Sequence, residues 1–244
     1  MHKSLHRLLL LVVALATGAI SLIAVAPSAH AATYASKTLI SSTKTVVLHG
    51  TSVKIKGCVT VPDYKPGCAP SGAVRLERRI VGKSAWTTVN TKSLATTGGL
   101  PEWIIKPSYS AYYRLVFGGT DFEGHTFQRS TSAAKLIRVA RNLHDKWVRS
   151  SFTYGGLVTP TYAGKYVYIQ RTTCSNPQAS TCKWSHYKAL KTTSSSRWKI
   201  KLPAYRQTNY FRAYIKPSSG YAPSYSNYYI ETKRYRPGTA RVVR

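Results

Sequence analysis

The chain contains 244 residues, of which 36 are lysine or arginine and only 7 are aspartate or glutamate, so its formal net charge is +29 at pH 7. A surface this basic attracts polyanions over a Debye length of ~10 Å at moderate salt, although solubility alone would also account for the charge. So few carboxylates leave little material for catalysis by paired acids, and the sequence contains no Gly-rich phosphate loop.

The N-terminus has the features of an export signal. Lys3 and Arg7 precede an apolar run from Leu8 to Ala26, Pro27 breaks the run, and Ala29-His30-Ala31 matches the small-x-small pattern at which a signal peptidase cleaves. An uncleaved membrane anchor is the alternative, because the run approaches the ~20 residues that a spanning helix needs. We therefore expect residues 1–31 to be a signal peptide and the rest of the chain to be secreted, with no membrane segment after cleavage.

The four cysteines predict one disulfide in each half of the chain. An exported protein can keep disulfides, and four cysteines allow three pairings. The spacing favours Cys58 with Cys68 and Cys174 with Cys182, because each pair brackets a turn-rich segment. Loops this short gain roughly 2–3 kcal/mol from closure. A zinc site is the weaker alternative, because neither pair has the close C-x₂₋₄-C spacing of zinc ligands.

An internal repeat organises the rest of the sequence. Five or six short blocks recur in the same order with offsets between 93 and 99 residues, an order that chance would not preserve. Trp86 and Trp184 follow the second block of their respective copies. The matched blocks are 57–62 with 156–160, 74–78 with 167–171, 103–107 with 198–203, 112–117 with 210–215, and 130–132 with 224–226.

The blocks of the repeat have the alternation of β-strands. Residues 53–56 alternate apolar and basic side chains, and in residues 74–78 we expect Val74 and Leu76 to face one way and Glu77 the other. About seven short strands per ~95 residues, separated by turn formers, predict an all-β chain of two β-sandwiches, with a small barrel as the other option. The four recurring tryptophans, Trp86, Trp103, Trp184 and Trp198, are expected in or near the core, with carbohydrate stacking as the alternative for some.

The predicted boundaries follow from the repeat. The first domain is expected at 32–140, the second at 141–235, and a flexible basic tail at 236–244. The linker between the domains is expected near Arg141–Asp145.

The blocks also resemble a known class of module. The pattern Gly-x-Val-Thr-x-Pro, then Val-x-Leu/Ile-x-Arg, then Trp, then Tyr-Tyr/Phe-Arg is similar to the tandem immunoglobulin-like or fibronectin-III-like modules of secreted bacterial proteins, over roughly residues 40–235. The resemblance implies two tandem immunoglobulin-like β-sandwich domains that act as adhesive, spacer or binding units, with no shared catalytic residues. The cysteine pair lies at a different place in each copy, and no catalytic domain is appended.

Residue patterns for catalysis or metal binding are weak. Asp121 and Glu123 are the only closely spaced carboxylates, and with His125 they would suit a metal only if they shared one face of a strand. Calcium loops normally offer more oxygen ligands, so a turn between strands is the preferred interpretation. The sequence contains neither an HExxH motif nor a G-x-S-x-G nucleophile elbow. We therefore expect no enzyme activity, no cofactor and no metal.

Basic residues provide the candidate binding sites. Lys199 and Lys201 occupy the exposed alternate positions of a predicted strand, and tyrosines are interspersed among the basic residues of the second copy. No recognised nucleic-acid module is present. The candidate polyanion-binding residues are Lys199 and Lys201 together with the C-terminal group Lys233, Arg234, Arg236, Arg241 and Arg244.

Two functional classes fit these observations. The first is a secreted, non-enzymatic module that associates with anionic cell-wall or other extracellular polymers. The second is a protein-recognition module, such as a secreted inhibitor or adhesin, whose sandwich loops carry specificity. A passive spacer would bind nothing. Salt separates the first two, because polyanion binding falls as salt rises whereas a packed protein interface mostly persists. The sequence does not specify the oligomeric state.

Overall fold

The computed structural model describes residues 31–69, 71–148, 150–203, 205, 207–226, 229–232 and 240–243, with only the backbone described for the last two segments. The first half contains thirteen strands and one short 3₁₀ turn at Ala95–Thr97. These strands are β1 (Thr33–Tyr34), β2 (Lys37–Ser42), β3 (Val46–Leu48), β4 (Val53–Val61), β5 (Lys65–Cys68), β6 (Ala73–Ile80), β7 (Thr87–Ser93), β8 (Glu102–Ile105), β9 (Ala111–Phe117), β10 (Thr120–Phe122), β11 (His125–Phe127), β12 (Ser130–Thr131) and β13 (Lys135–Ala140).

The second half contributes nine strands, and no helix occurs among its described residues. The strands are β14 (Lys146–Val148), β15 (Thr153–Leu157), β16 (Tyr166–Thr172), β17 (Ser185–Lys191), β18 (Arg197–Lys201), β19 (Asn209–Ile215), β20 (Ser224–Tyr225), β21 (Tyr229–Thr232) and β22 (Ala240–Val243). The predicted all-β class is therefore confirmed.

The first half is a sandwich of two main sheets. One sheet places β4 between β2 and β8, with β5 also paired to β4. The other runs β3-β13-β9-β6-β7, with β12 also paired to β9. Its only parallel pair joins β3 to β13, and its other pairs are antiparallel. A hairpin of β10 and β11, extended by β1, forms a third small sheet.

The second half repeats this arrangement. Strands β14-β15-β18 form one sheet, and β17-β16-β19-β21-β22 form the other, with β20 paired to β19. In both halves a smaller sheet, of four strands in the first half and three in the second, accompanies a sheet built around two long central strands. This strand order is that of the immunoglobulin-like sandwich, so the fold predicted from the repeat is confirmed.

Alternating side chains build a separate core in each sandwich. Strand β4 alternates buried and more exposed positions along its nine residues, and β19 does the same along seven. The first core includes Ile55, Leu76 and Phe117, and the second includes Ile169 and Phe211. Full burial of a side chain of this size contributes roughly 1.5–3 kcal/mol, so the period-2 pattern is also the main source of stability.

Glu77 lies on the same face of β6 as Arg75, opposite Val74 and Leu76 as predicted, yet it is only 8 % exposed. The register shift between β6 and β7 leaves Val89 of β7 unpaired, whereas the pairing of β6 with β9 runs through Glu77 without a shift. The carboxylate accepts hydrogen bonds from Arg114 Nε at 2.8 Å and from Arg75 at 3.4 Å, so its charge is paired. A buried carboxylate needs such partners, because an unpaired one would be costly.

The segment between the cores is ordered and buried. Arg141, Leu143 and Asp145 are each at most 9 % exposed. The Arg141 guanidinium lies over the rings of Tyr221 at 3.9 Å and Tyr162 at 4.7 Å, and it donates to the carbonyl oxygens of Pro160 at 2.9 Å and Thr161 at 3.3 Å. The pKa of Arg141 is lowered from its usual value, and burial is the largest cause. The predicted linker is thus a fixed connection.

Backbone hydrogen bonds tie the two halves together near this segment. Ser110 donates to the carbonyl oxygen of Gly220 at 2.8 Å, Ala222 donates to that of Val139 at 2.8 Å, and Ala140 forms a parallel bridge with Ala222. The buried ring of Tyr221 belongs to the first core although its residue lies in the second half. The described residues from Thr33 onward accordingly form one compact unit.

Both predicted disulfides are present. Cys58 is bonded to Cys68 at the β4–β5 hairpin, and Cys174 is bonded to Cys182 in the β16–β17 connection, so the bond occupies a different place in each copy. The predicted signal lies outside the described residues apart from Ala31. The part of the chain that the structure describes holds no helix long and apolar enough to cross a membrane.

Candidate functional site: a cationic groove on the second sandwich

Strand β18 presents a row of cations to solvent. Arg197, Lys199 and Lys201 are exposed, while Trp198 and Ile200 between them are buried in the second core. The alternation arises because successive side chains of a strand point to opposite faces. Lys199 lies opposite Gly155 in β15, a neighbour with no side chain to cover it.

These residues line an open groove of about 590 Å³. Its wall includes four exposed cations: Lys146 from β14, Lys191 from the end of β17, and Arg197 and Lys199 from β18. We refer to these four residues and the space between them as the cationic groove. The remaining lining comprises small, apolar and neutral polar groups together with His144, and no carboxylate of a described residue lines it.

Gly155 and Gly156 line the groove where β15 packs closely against neighbouring backbone. A Cβ atom on Gly155 would meet the backbone oxygen of Trp198 at 2.5 Å, and one on Gly156 would overlap the backbone around Leu143. Close strand approach here therefore requires glycine, as expected where two backbones pack tightly.

The charge balance of the second half reinforces the groove. Residues 141–235 contain sixteen lysines and arginines but only two acids, Asp145 and Glu231, whereas residues 32–140 contain fifteen basic and five acidic residues. The ion pairs found among described residues all use Glu77, Glu102 or Glu123 of the first sandwich. Cations near the groove consequently have few carboxylates to pair with, which favours an external anion.

The first sandwich has a counterpart of the groove with different chemistry. A hollow of about 560 Å³ lies between β7 and β8, lined by Glu102, Trp103 and Ile104, whose repeat equivalents are Arg197, Trp198 and Lys199. The lining also includes Lys92, and Glu102 lies 2.6 Å from Lys54 Nζ and 3.8 Å from Lys56 Nζ. The lining of the first hollow therefore holds one carboxylate and one cation, whereas the groove holds four cations and no carboxylate of a described residue.

The structure separates the predicted site residues. Lys199 lines the groove, and Lys201 is exposed on the same face of β18 but outside the lining. Lys233, Arg234, Arg236 and Arg244 lie outside the described residues. Residues 240–243, which include Arg241, form β22 and pair with β21. The backbone of these four residues is hydrogen-bonded in a sheet, and the rest of the predicted flexible tail, 236–239 and Arg244, lies outside the described residues.

Sequence reasoning missed three of the groove's four cations. Lys146 and Arg197 lie at opposite sides of the β14-β15-β18 sheet, and Lys191 lies at the end of β17 in the other sheet, so the three meet only in the folded sandwich. Arg197 was detectable, since it is two residues before Lys199 on the same strand. Nothing in the local sequence distinguishes Lys146 or Lys191 from other exposed lysines.

The recurring tryptophans form two structural pairs. Trp103 and Trp198 are buried in the cores, where Tyr154 packs edge-on against Trp198 at 4.9 Å between ring centroids. Trp86 and Trp184 instead lie under arginines, with the Arg114 and Arg212 guanidinium carbons 4.1 and 4.2 Å from the respective ring centroids.

The Asp121–His125 segment is a hairpin. Glu123, at φ 50°, occupies the turn between β10 and β11, so the three side chains do not share one strand face. The Tyr64 hydroxyl donates to Glu123 at 2.5 Å and thereby lowers the pKa of that carboxyl, while Asp121 accepts from Thr126 at 2.7 Å. The described residues include no cluster of three or more metal-ligating side chains.

Comparison with known proteins adds little to this description. No family model and no curated protein matches the sequence. Among solved structures, the human OSCAR ligand-binding domain is similar to this chain, with 14% sequence identity and a TM-score of 0.30, over 84% of this chain and 97% of that one. A TM-score this low supports no functional argument, and the immunoglobulin-like assignment rests on the strand pairing described above.

Proposed function

We propose that this protein is a secreted, non-enzymatic binding module that holds anionic extracellular polymers in the cationic groove. The observation that carries the proposal is the convergence of Lys146, Lys191, Arg197 and Lys199 around one open hollow without a lining carboxylate. Several cations along a groove concentrate a flexible polyanion and release its counterions on binding.

Three further observations support this function. The two disulfides suit an oxidising, extracellular compartment. The N-terminal sequence suits export and, with the tandem sandwiches, a bacterial secreted protein associated with the cell wall. The groove is also open to solvent, as a site for a long polymer requires, whereas small-molecule sites enclose most of their ligand.

The test uses the internal repeat to design the substitutions. The double variant Arg197→Glu/Lys199→Ile gives the groove the residues of the first sandwich, Glu102 and Ile104, so the fold should tolerate it. The control is Arg138→Glu/Lys83→Ile, which changes two exposed residues of the first half and alters net charge equally.

The protein is purified after export from the host cell. Its retention on heparin-agarose and on purified cell-wall polymer is then measured at increasing salt. We expect the wild type and the control to elute at similar, moderately high salt, and the groove variant to elute much earlier. Equal elution of the two variants would show that net charge rather than the groove governs binding. Retention of a protein partner that persists at high salt would instead favour a protein-recognition module.

A further inference from the structure

The second sandwich carries a row of tyrosines on its other sheet, which borders the groove where Tyr166 of β16 pairs with Lys191 of β17. Tyr166 and Tyr168 lie on β16, Tyr214 on β19 and Tyr225 on β20. We refer to these four residues as the tyrosine strip. Consecutive ring centroids are 6.4, 6.4 and 5.1 Å apart along the order 166, 168, 214 and 225, and the last two rings are stacked.

The strip is accessible from solvent. Tyr166 is 50% exposed and Tyr225 is 46% exposed, and the two rings between them are half-buried. Exposed apolar area of this kind commonly marks a binding surface.

Two cations contact the strip. Lys216 Nζ lies 4.7 Å from the Tyr168 ring centroid, and the Arg212 guanidinium carbon lies 4.6 Å from that of Tyr225. The His186 ring packs against Tyr168 at 6.0 Å between ring centroids. Arg212 Nε also donates to Oε1 of the neutral Gln170 at 2.8 Å. The strip therefore combines flat apolar faces with positive charge.

The internal repeat separates what the fold needs from what is special to this face. Both copies share a tryptophan under an arginine and a hydrogen-bond acceptor for that arginine: Glu77 serves Arg114, and Gln170 serves Arg212. These shared features belong to the fold.

The tyrosines are not shared. In the second copy, strand pairing places Tyr168 opposite Tyr214 and Tyr214 opposite Tyr225. The same pairing in the first copy joins Arg75 to Val116 and Val116 to Thr131, so none of the three equivalent positions is aromatic. The first-copy face is also closed, since Val116 is only 1% exposed. The second copy thus has tyrosine at three positions where the first copy has other residues, and the first copy shows that the sandwich forms without them.

From this arrangement we propose that the tyrosine strip is a binding site for an acidic polysaccharide. Sugar rings present flat C–H faces that pack on aromatic rings, while their carboxylate or sulfate groups pair with Arg212 and Lys216. The distances of 5.1 to 6.4 Å between successive ring centroids are about the length of one sugar unit, so the strip suits a linear chain of sugars. The proposal rests on the function proposed above and deepens it, because it names the class of anionic polymer. It relies on the sheet that contains β16, β19 and β20, which borders the groove at the pair of Tyr166 and Lys191.

The test is titration calorimetry of the exported protein with three probes. These are a heparin oligosaccharide, a poly-glutamate of equal charge that lacks sugar rings, and an oligothymidylate. The variant is Tyr214→Val/Tyr225→Thr, which installs first-copy residues without changing charge. The control is Tyr112→Val, which removes a tyrosine from β9, a strand of the equivalent sheet in the first sandwich.

The expected result is that the wild type prefers heparin to poly-glutamate by at least tenfold, and that the strip variant loses this preference while the control keeps it. Poly-glutamate affinity should be unchanged in the strip variant and reduced only in the groove variant Arg197→Glu/Lys199→Ile, so failure of the strip and failure of the groove are distinguishable. Equal affinity of the wild type for heparin and poly-glutamate, unchanged heparin affinity in the strip variant, or a preference for the oligothymidylate would each overturn the proposal.

Discussion

Replacement of Arg141 by methionine should destabilise the protein more than any other single change of an arginine. The guanidinium donates to two backbone carbonyl oxygens and lies over two tyrosine rings, with the side chain 9% exposed. Methionine keeps much of the apolar volume but leaves the carbonyl oxygens of Pro160 and Thr161 without their donor.

The magnitude follows from these contacts. Hydrogen bonds from a charged donor contribute about 1.5–3 kcal/mol and a partly desolvated cation–π contact about 0.5–2 kcal/mol. The desolvation of a buried guanidinium offsets several kcal/mol of this gain. We therefore expect a net loss of roughly 2–4 kcal/mol, which for a chain of this size lowers Tm by roughly 4–16 °C.

The assay is urea unfolding followed by tryptophan fluorescence, with Arg138→Met as the control. Arg138 lies on the same strand end but is exposed. The control should change stability by less than about 0.5 kcal/mol, as surface substitutions usually do. If Arg141→Met fell within that range as well, the connection between the sandwiches would not depend on the buried guanidinium.

Three further outcomes test the packing. Glu77→Gln should cost less than about 1 kcal/mol in urea unfolding, because Gln170 fills the equivalent place in the second copy, whereas Glu77→Leu should cost about 2–4 kcal/mol by leaving two arginines without their acceptor. Gly156→Ala should cost about 1–3 kcal/mol by backbone overlap, against almost none for Gly118→Ala, which has open space; equal values would contradict the close packing. Burial, followed by the charge of Asp145, raises the pKa of Tyr154 well above its usual value, so stability should fall as pH rises above ~10, where the unfolded chain ionises first. Thermal melts of Tyr154→Phe should show a weaker alkaline dependence, and an unchanged dependence would exclude Tyr154 as its source.

The sequence was sufficient to predict the architecture. Alternation in blocks such as 53–56, together with the ordered repeat, predicted two sandwiches, and short cysteine spacing predicted both disulfides. These features are local or periodic, so one strand's pattern suffices to predict them. The burial of Glu77 could not be predicted from residues 74–78, because Arg114, which contacts its carboxylate, lies on β9.

The candidate sites were only partly predictable. Lys199 was identified from its own strand, but the groove needs Lys146 and Lys191 from other strands, and the tyrosine strip needs β16, β19 and β20 in register. Cross-strand neighbours depend on pairing that a single strand's pattern does not specify. The fixed connection at Arg141 was missed for a similar reason, since its tyrosine partners lie 21 and 80 residues further along the chain.

The most direct test of the central claim is the salt dependence of heparin affinity for the wild type and for Arg197→Glu/Lys199→Ile. If four groove cations each replace a counterion, log affinity should fall against log salt with a slope of roughly −3. The groove variant should show a slope shallower by about 1.5 to 2, because two of the four contacts are gone. A slope near zero for the wild type, or the same slope for both proteins, would contradict the assignment of polyanion binding to the cationic groove.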